Sequence, residues 1–202
     1  PIKSSAASDV YKRQVSGVDY RIVPLADYEP DILYQKQVEA YYADPELNKP
    51  VGRFGNAADK WGLANWMAAA VADEADADVG FYHIGGVRLD SIPAGGVSAA
   101  KVYGLEPFGT LVARMEMTPA QMRRMIVSKY NDPVNAKEAH RIDLISTTPY
   151  VIVTDAADNA LDVQFPKLRE GRKYKVAVSD YIYRNYKDME YTGGCLLYTS
   201  PS

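Results

Sequence analysis

The sequence predicts an α+β domain in which a mixed β-sheet is covered by helices. Runs of strand character and runs of helix character follow one another without the strict alternation of a doubly wound parallel sheet. Two strand-like runs, residues 149–155 and 161–165, flank an Asp158-Asn159 turn and read as an antiparallel hairpin. The alanine-rich stretch 56–75 has helical composition, with Trp61, Leu63, Trp66, Met67 and Val71 available for burial.

Each element follows from local chemistry. Residues 19–25 carry Tyr20, Ile22 and Val23 in partial alternation and read as a short strand. Pro30 and Asp31 are start signals for a helix over 31–43, with Ile32, Leu33, Val38, Tyr41 and Tyr42 at roughly helical spacing, and Pro45 and Pro50 end it. Within the alanine-rich helix, Gly62 costs about 1 kcal/mol against alanine, which implies a close-packing reason for it. The acidic run Asp73, Glu74, Asp76 and Asp78 lacks the ligand spacing of a calcium loop and reads as a solvated turn. Residues 78–83 form the next strand, ending in Gly85-Gly86. Ser98 is an N-cap for a short helix through Tyr103, and residues 111–117 alternate as a strand. Thr118-Pro119 opens a helix to about Tyr130, with proline at its first position. Residues 131–145 read as a long surface loop. Residues 174–181 form the final buried strand, and 182–189 leave it as a loop or helix start.

Composition narrows the function classes. The chain has 202 residues, of which 47% are hydrophobic and 24% charged, as in ordinary globular domains. A net charge of −3 argues against a nucleic-acid polymer as partner. No run approaches the roughly 20 apolar residues of a membrane span. With two histidines, His83 and His140, and one cysteine, the chain offers no HExxH, paired-histidine or cysteine-cluster pattern for a metal. P-loop, GxGxxG and nucleophile-elbow patterns are also missing. What remains are recognition groups. The run from Phe81 to Arg88 reads as a strand entering a glycine turn that delivers an arginine. Leu105-Glu106-Pro107-Phe108-Gly109 holds a phenylalanine between proline and glycine, where a side chain is easily left standing off the backbone. A cation and a ring on neighbouring loops suit a ligand with a phosphate and a base.

The two ends carry a different signal. Asp9-Val10-Tyr11-Lys12-Arg13-Gln14 back-translates as GATGTGTATAAGAGACAG. Cys195-Leu196-Leu197-Tyr198-Thr199-Ser200 back-translates as TGTCTCTTATACACATC, which lies within the reverse complement of that DNA. Both are expected to be translated sequencing-adapter DNA, so residues 1–14 and 195–202 are set aside as scars. On that expectation Cys195 supports no redox argument, and the native segment is cut at one or both ends. Native flanking codons in the source DNA would overturn the expectation.

Four ordered stretches resemble the C-terminal domain of the 5′-nucleotidase family, which includes UDP-sugar hydrolases and cyclic-nucleotide phosphodiesterases. Asn65-Trp66-Met67-Ala68-Ala69-Ala70 is similar to the family's G-N-L-x-x-D-A helix. Tyr82-His83-Ile84-Gly85-Gly86-Val87-Arg88 resembles its N-x-G-G-I-R turn. Residues 92–95 and then 102–109 resemble the stretch ending in L-P-F-G, and residues 174–182 resemble Y-x-V-A-x-x-D-Y-L. The resemblance covers about residues 51–188. It implies a 5′-nucleotidase C-terminal-domain-like substrate-binding fold over 51–194. Residues 15–50 are then the end of a metallophosphoesterase domain and a linker helix.

The resemblance also implies roles. Phe108 and Tyr181 fall on the two rings that clamp a nucleobase, and Arg88 on an arginine that contacts the phosphate region, with Gly85 and Gly86 forming the turn before it. His83 stands where the family has asparagine and can still donate to a phosphate. Ala69 replaces the helix aspartate. Asp188 is the candidate carboxylate for base or ribose, and Arg53 the candidate for an arginine preceding the first helix. The alternatives are structural: Phe108 as a core anchor, Tyr181 as a sheet residue, Arg88 as a brace for the turn. The family's two divalent metal ions belong to an N-terminal domain whose D-x-H, G-N-H-[DE] and H-x-H elements are missing from this chain. The fragment alone is therefore expected to bind a nucleotide or nucleoside without hydrolysing it, and a periplasmic or cell-surface location is implied. Two other readings stay open: a free-standing nucleotide-binding protein, and an interaction domain with a decayed cleft.

Overall fold

The structure, a computed structural model, describes residues 5–9, 14–133 and 142–197. The chain divides into two compact units, Pro1–Asp44 and Pro45–Ser202.

In the first unit, β1 (Ser5–Asp9) pairs antiparallel with β2 (Gln14–Asp19). The strand expected over 19–25 ends at Asp19: Pro24 lacks a donor for the ladder and leads into a short 3₁₀ turn, Leu25–Asp27. Helix α1 (Ile32–Tyr42) forms as expected. Asp31 caps it, its carboxylate accepting the Leu33 and Tyr34 amides at 2.9 and 3.2 Å. None of its residues is buried.

The second unit opens with α2 (Pro45–Asn48), β3 (Pro50–Phe54), β4 (Ala58–Asp59) and α3 (Lys60–Glu74). There follow β5 (Val79–His83), β6 (Ser91–Ile92), β7 (Gly95–Ser98) and α4 (Ala99–Leu105). The remaining elements are β8 (Val112–Met117), α5 (Pro119–Tyr130), β9 (Leu144–Ser146), β10 (Val151–Thr154), β11 (Ala160–Gln164), β12 (Tyr174–Ser179), α6 (Asp180–Asn185) and β13 (Thr192–Leu197). The central sheet has the order β13-β8-β12-β5-β9. Only β12 and β5 run parallel, Val176 facing Val79 and Val178 facing Phe81; the other pairs are antiparallel. The sheet is mixed and helices lie on it, which is the α+β class predicted.

Side chains alternate across this sheet and feed two cores. Val79, Phe81, Met115, Met117, Val176 and Val178 pack on one side with Met122, Met125 and Ile126 of α5. Tyr82, Val112 and Ala177 pack on the other with Leu63, Ala64, Ala68 and Val71 of α3. Small residues set the α3 side. A Cβ at Gly80 would stand 2.0 Å from the Ala68 carbonyl oxygen, so helix and strand meet closer than any side chain permits. This corrects the expected burial of Trp61 and Trp66. They are 45% and 42% exposed because the face that fits the sheet is the alanine face, and Trp66 instead rests on Phe54 with ring centroids 5.6 Å apart. The helix also starts later than expected, and Gly62 lies in its first turn. There its amide donates to Asp59 Oδ1 at 2.8 Å, and a Cβ at this position would stand 3.3 Å from the same oxygen, in keeping with the close packing expected.

Other elements follow the sequence closely. Ser98 caps α4, Thr118 and Gln121 form a capping box on α5, and β10 pairs with β11 around Asp158 at φ 62°. Three departures concern strands. Residues 144–146, expected in a loop, form edge strand β9. The strand expected to run to Tyr181 stops at Ser179, which caps α6 by accepting the Ile182 amide at 3.3 Å. β12 is not the last strand, since β13 pairs beyond it and extends into the residues expected to be adapter-derived; ladder pairing uses backbone groups that any such sequence supplies. His140 and residues 134–141 of the expected loop lie outside the described residues. No described helix is long and apolar enough to cross a membrane.

Candidate functional site

The parallel pair fixes where the site lies. β5 and β12 end at the same edge of the sheet, and β8, antiparallel to β12, begins there. Three connections therefore converge: the turn after β5, the loop before β8, and the start of α6. Ligands of open sheets gather at such carboxyl ends.

Hydrogen bonds hold the three together. The Arg88 amide donates to the Leu105 carbonyl at 2.9 Å, tying the glycine turn to the end of α4. The Glu106 carboxylate organises the next loop: it accepts the Phe108 amide at 3.3 Å, the Thr110 amide at 3.4 Å and the Thr110 hydroxyl at 2.7 Å. Gly109, at φ 62°, supplies the left-handed turn that leaves Phe108 outside. The Asp180 amide donates to the Leu111 carbonyl at 2.8 Å, and its carboxylate accepts the Leu111 amide at 3.2 Å, which joins this loop to α6.

Between them lies a cleft of about 560 Å³. Phe108 and Tyr181 line it and are 62% and 50% exposed. Phe108 is therefore no core anchor, and Tyr181 sits in α6 and not in the sheet. His83, Gly85 and Thr110 line the cleft as well, and Lys129, Asp143, Asp180 and Arg184 bring charge to it. Asp143 is a buried carboxylate. It accepts the Tyr186 hydroxyl and stands 3.6 Å from Lys129 Nζ, which also lies 5.0 Å over the Tyr186 ring. Burial, reinforced by the Asp143 charge, pushes the Tyr186 hydroxyl well above the ordinary tyrosine range, so it remains a donor.

The remaining sequence candidates fall elsewhere. Arg88 is exposed on the rim, its guanidinium carbon 5.9 Å from the Phe108 ring centroid, close enough for a cation–π contact. Gly86 is buried beneath the turn: a Cβ there would meet His83 Cε1 at 2.6 Å. Asp188, the carboxylate expected for base or ribose, lies apart from these groups. It does not line the cleft, and its Oδ2 accepts the Ser128 hydroxyl of α5 at 2.6 Å, with φ 55°. Arg53 likewise lines a separate apolar pocket with Phe54 and Trp66. The carboxylates that do face the cleft are Asp143 and Asp180. Asp180 was within reach of sequence reasoning, since it precedes Tyr181 in the quoted motif. Asp143 and Lys129 have no local signal: the pairing of β9 beside β5 brings Asp143 in, and Lys129 comes from the last turn of α5.

A family model described as "5'-nucleotidase, C-terminal domain" matches residues 43–191. The chain belongs to this family. Among solved structures it is similar to a 5′-nucleotidase precursor from Thermus thermophilus, with 16% identity and a TM-score of 0.63 over 96% of this chain and 43% of that one. An NAD nucleotidase of Haemophilus influenzae shares 14% identity and a TM-score of 0.56, over 86% of this chain and 39% of that one. A sulfate thiohydrolase from Thermus thermophilus, in complex with glycerol, gives 14% and 0.54, over 87% and 36%. At these identities the likeness is one of fold. This 5′-nucleotidase C-terminal domain spans less than half the length of those three proteins. No curated protein matches the chain.

The family implies divalent metals, and the residues present do not fit them. Among the described residues, no group of three or more histidine, cysteine or acidic side chains could hold a metal ion. In the cleft, Asp143 is engaged by Tyr186 and Lys129, and Arg184 lies 3.6 Å from Asp180.

Proposed function

We propose that this chain is the nucleotide- or nucleoside-binding domain of a 5′-nucleotidase-type phosphoester hydrolase. The observation that carries the reading is the pair of exposed rings, Phe108 and Tyr181, lining one cleft with Arg88 at its rim. Stacking holds a base while tolerating its identity, at about 1–3 kcal/mol per ring. The guanidinium fork of Arg88 suits phosphate oxygens. Cleavage belongs to a metal-bearing domain outside this chain, in which two divalent ions would stabilise the attacking and leaving oxygens. Residues 51–194 form the binding domain, residues 15–50 the end of the catalytic domain with its linker helix, and residues 1–14 and 195–202 adapter scars. The location is periplasmic or cell-surface.

The test is direct. Purified chain titrated with adenosine in a calorimeter is expected to show saturable binding. The same chain with AMP and Mn²⁺ is expected to release no phosphate. Absence of binding overturns the recognition role, and turnover overturns the division of labour. Binding without a recoverable upstream catalytic reading frame would favour the free-standing binder.

A further inference from the structure

His83 lines the cleft, and its imidazole packs against rings on two sides. Its imidazole stacks on Tyr181, with centroids 4.6 Å apart and planes 22° apart. On the strand behind, Tyr82 lies 5.3 Å from it at 28°. Tyr82 is fully buried, so this end of the column cannot move. Tyr181 is also held edge-on by Tyr186, 6.3 Å away at 80°, and Tyr186 is itself anchored to Asp143. The column fits only because residue 86 is glycine. A Cβ there would stand 2.6 Å from His83 Cε1 and 2.8 Å from Nε2. His83 Nδ1 is buried and has no hydrogen-bond partner among the described residues. A histidine retained only to donate would have that nitrogen satisfied; here the flat face of the ring is what the structure uses.

We infer that His83 is a positioning residue for the base-stacking ring: it fixes the plane of Tyr181 in the cleft, and Gly86 leaves the imidazole room to do so. The inference rests on the nucleobase-binding reading above. It gives His83 a role in ordering the ring, where the sequence suggested a phosphate contact.

The groups facing the imidazole set its titration. Burial holds it below the ordinary histidine range, Asp143 and Glu106 oppose this, and Lys129 reinforces it. A base seated against Tyr181 removes further water from the cleft side of the ring. The imidazolium then becomes more costly, and nucleoside affinity falls as pH drops below the ordinary histidine range.

The experiment uses the full chain, with adenosine as the phosphate-free probe. At pH 8, His83→Ala is expected to weaken binding by roughly 2- to 12-fold, the worth of an aromatic pair. His83→Phe, which keeps a stacking ring and cannot titrate, is expected to stay within about twofold of wild type by the same measure. It should also remove the loss of affinity that wild type shows as pH falls below the ordinary histidine range. Gly86→Ala should weaken binding in the wild-type background and have far less effect beside His83→Ala.

A ligand-free measurement guards against misfolded variants. In NMR titrations, with the resonance assigned through His83→Phe, Tyr181→Ala should raise the His83 midpoint by hydrating the ring. An unmoved midpoint overturns the inference. So does wild-type binding that is indifferent to His83→Ala, or a pH profile shared by wild type and His83→Phe. If wild type shows no saturable adenosine binding, the nucleobase reading fails and this inference with it.

Discussion

Single residues divide the cleft into exposed rings and the groups that hold them in place. Phe108 is exposed, and its loop is fixed by Glu106 and Gly109, so its ring is presented without the cost of being ordered on binding. Phe108→Ala should weaken adenosine binding by about 1–3 kcal/mol, with the thermal midpoint unchanged; an unaltered dissociation constant would remove this ring from the site. Asp188 is the opposite case. It stands one residue out of register with the family's closing carboxylate, and it spends its own carboxylate on Ser128. Asp188→Ala should leave the adenosine dissociation constant within about twofold of wild type, a change of about 0.4 kcal/mol; a tenfold loss in calorimetry would return it to the site. His83 also carries a stability signature. Its folded-state pKa is depressed below the unfolded value, so the unfolded chain binds the extra proton first as pH falls. Stability should be fully present above the ordinary histidine pKa of about 6.5 and decline as pH drops towards the folded-state value. Thermal midpoints measured from pH 8 to pH 5 should show this decline, and His83→Phe should lessen it.

At the level of elements, the closest contact is between α3 and β5. Gly80 against Ala68 replaces the usual interlocking of large side chains with backbone approach. Gly80→Val should destabilise the chain by about 1–3 kcal/mol or more, the usual cost of forcing atoms into a packed core; chemical denaturation reads this out, and an unchanged midpoint would show that α3 can retreat freely. The caps at Asp31, Asp59, Ser98, Thr118 and Ser179 all form, and sequence pointed to three of them through Asp31, Ser98 and Thr118-Pro119. A cap is legible because it is a contact between residues two or three apart. Edge strand β9 was read as loop because three residues hold too little alternation to signal a strand, and β5 supplies the pairing partner that makes it one.

On the scale of the whole molecule, sheet order positions the cleft. One parallel pair, β5 with β12, puts the ends of two strands separated by a long stretch of chain side by side, and β8 brings the Phe108 loop to the same edge. The residues singled out in the sequence that line the cleft, Phe108, Tyr181, His83 and Gly85, each sit next to a strand end or a glycine turn, where local pattern shows. Those it missed, Lys129 and Asp143, sit on an otherwise ordinary helix and beside an edge strand. Nothing in their immediate neighbours marks them.

The sequence by itself determined the α+β class, the hairpin, three of the helix starts and the family, because periodicity, capping and ordered motifs act over a few residues at a time. Tertiary structure alone decided which carboxylates face the cleft, which face of α3 is buried, and that His83 backs Tyr181. Those facts depend on strand order and on close approach at Gly80 and Gly86. Such contacts join residues through space, where spacing along the chain carries no record of them.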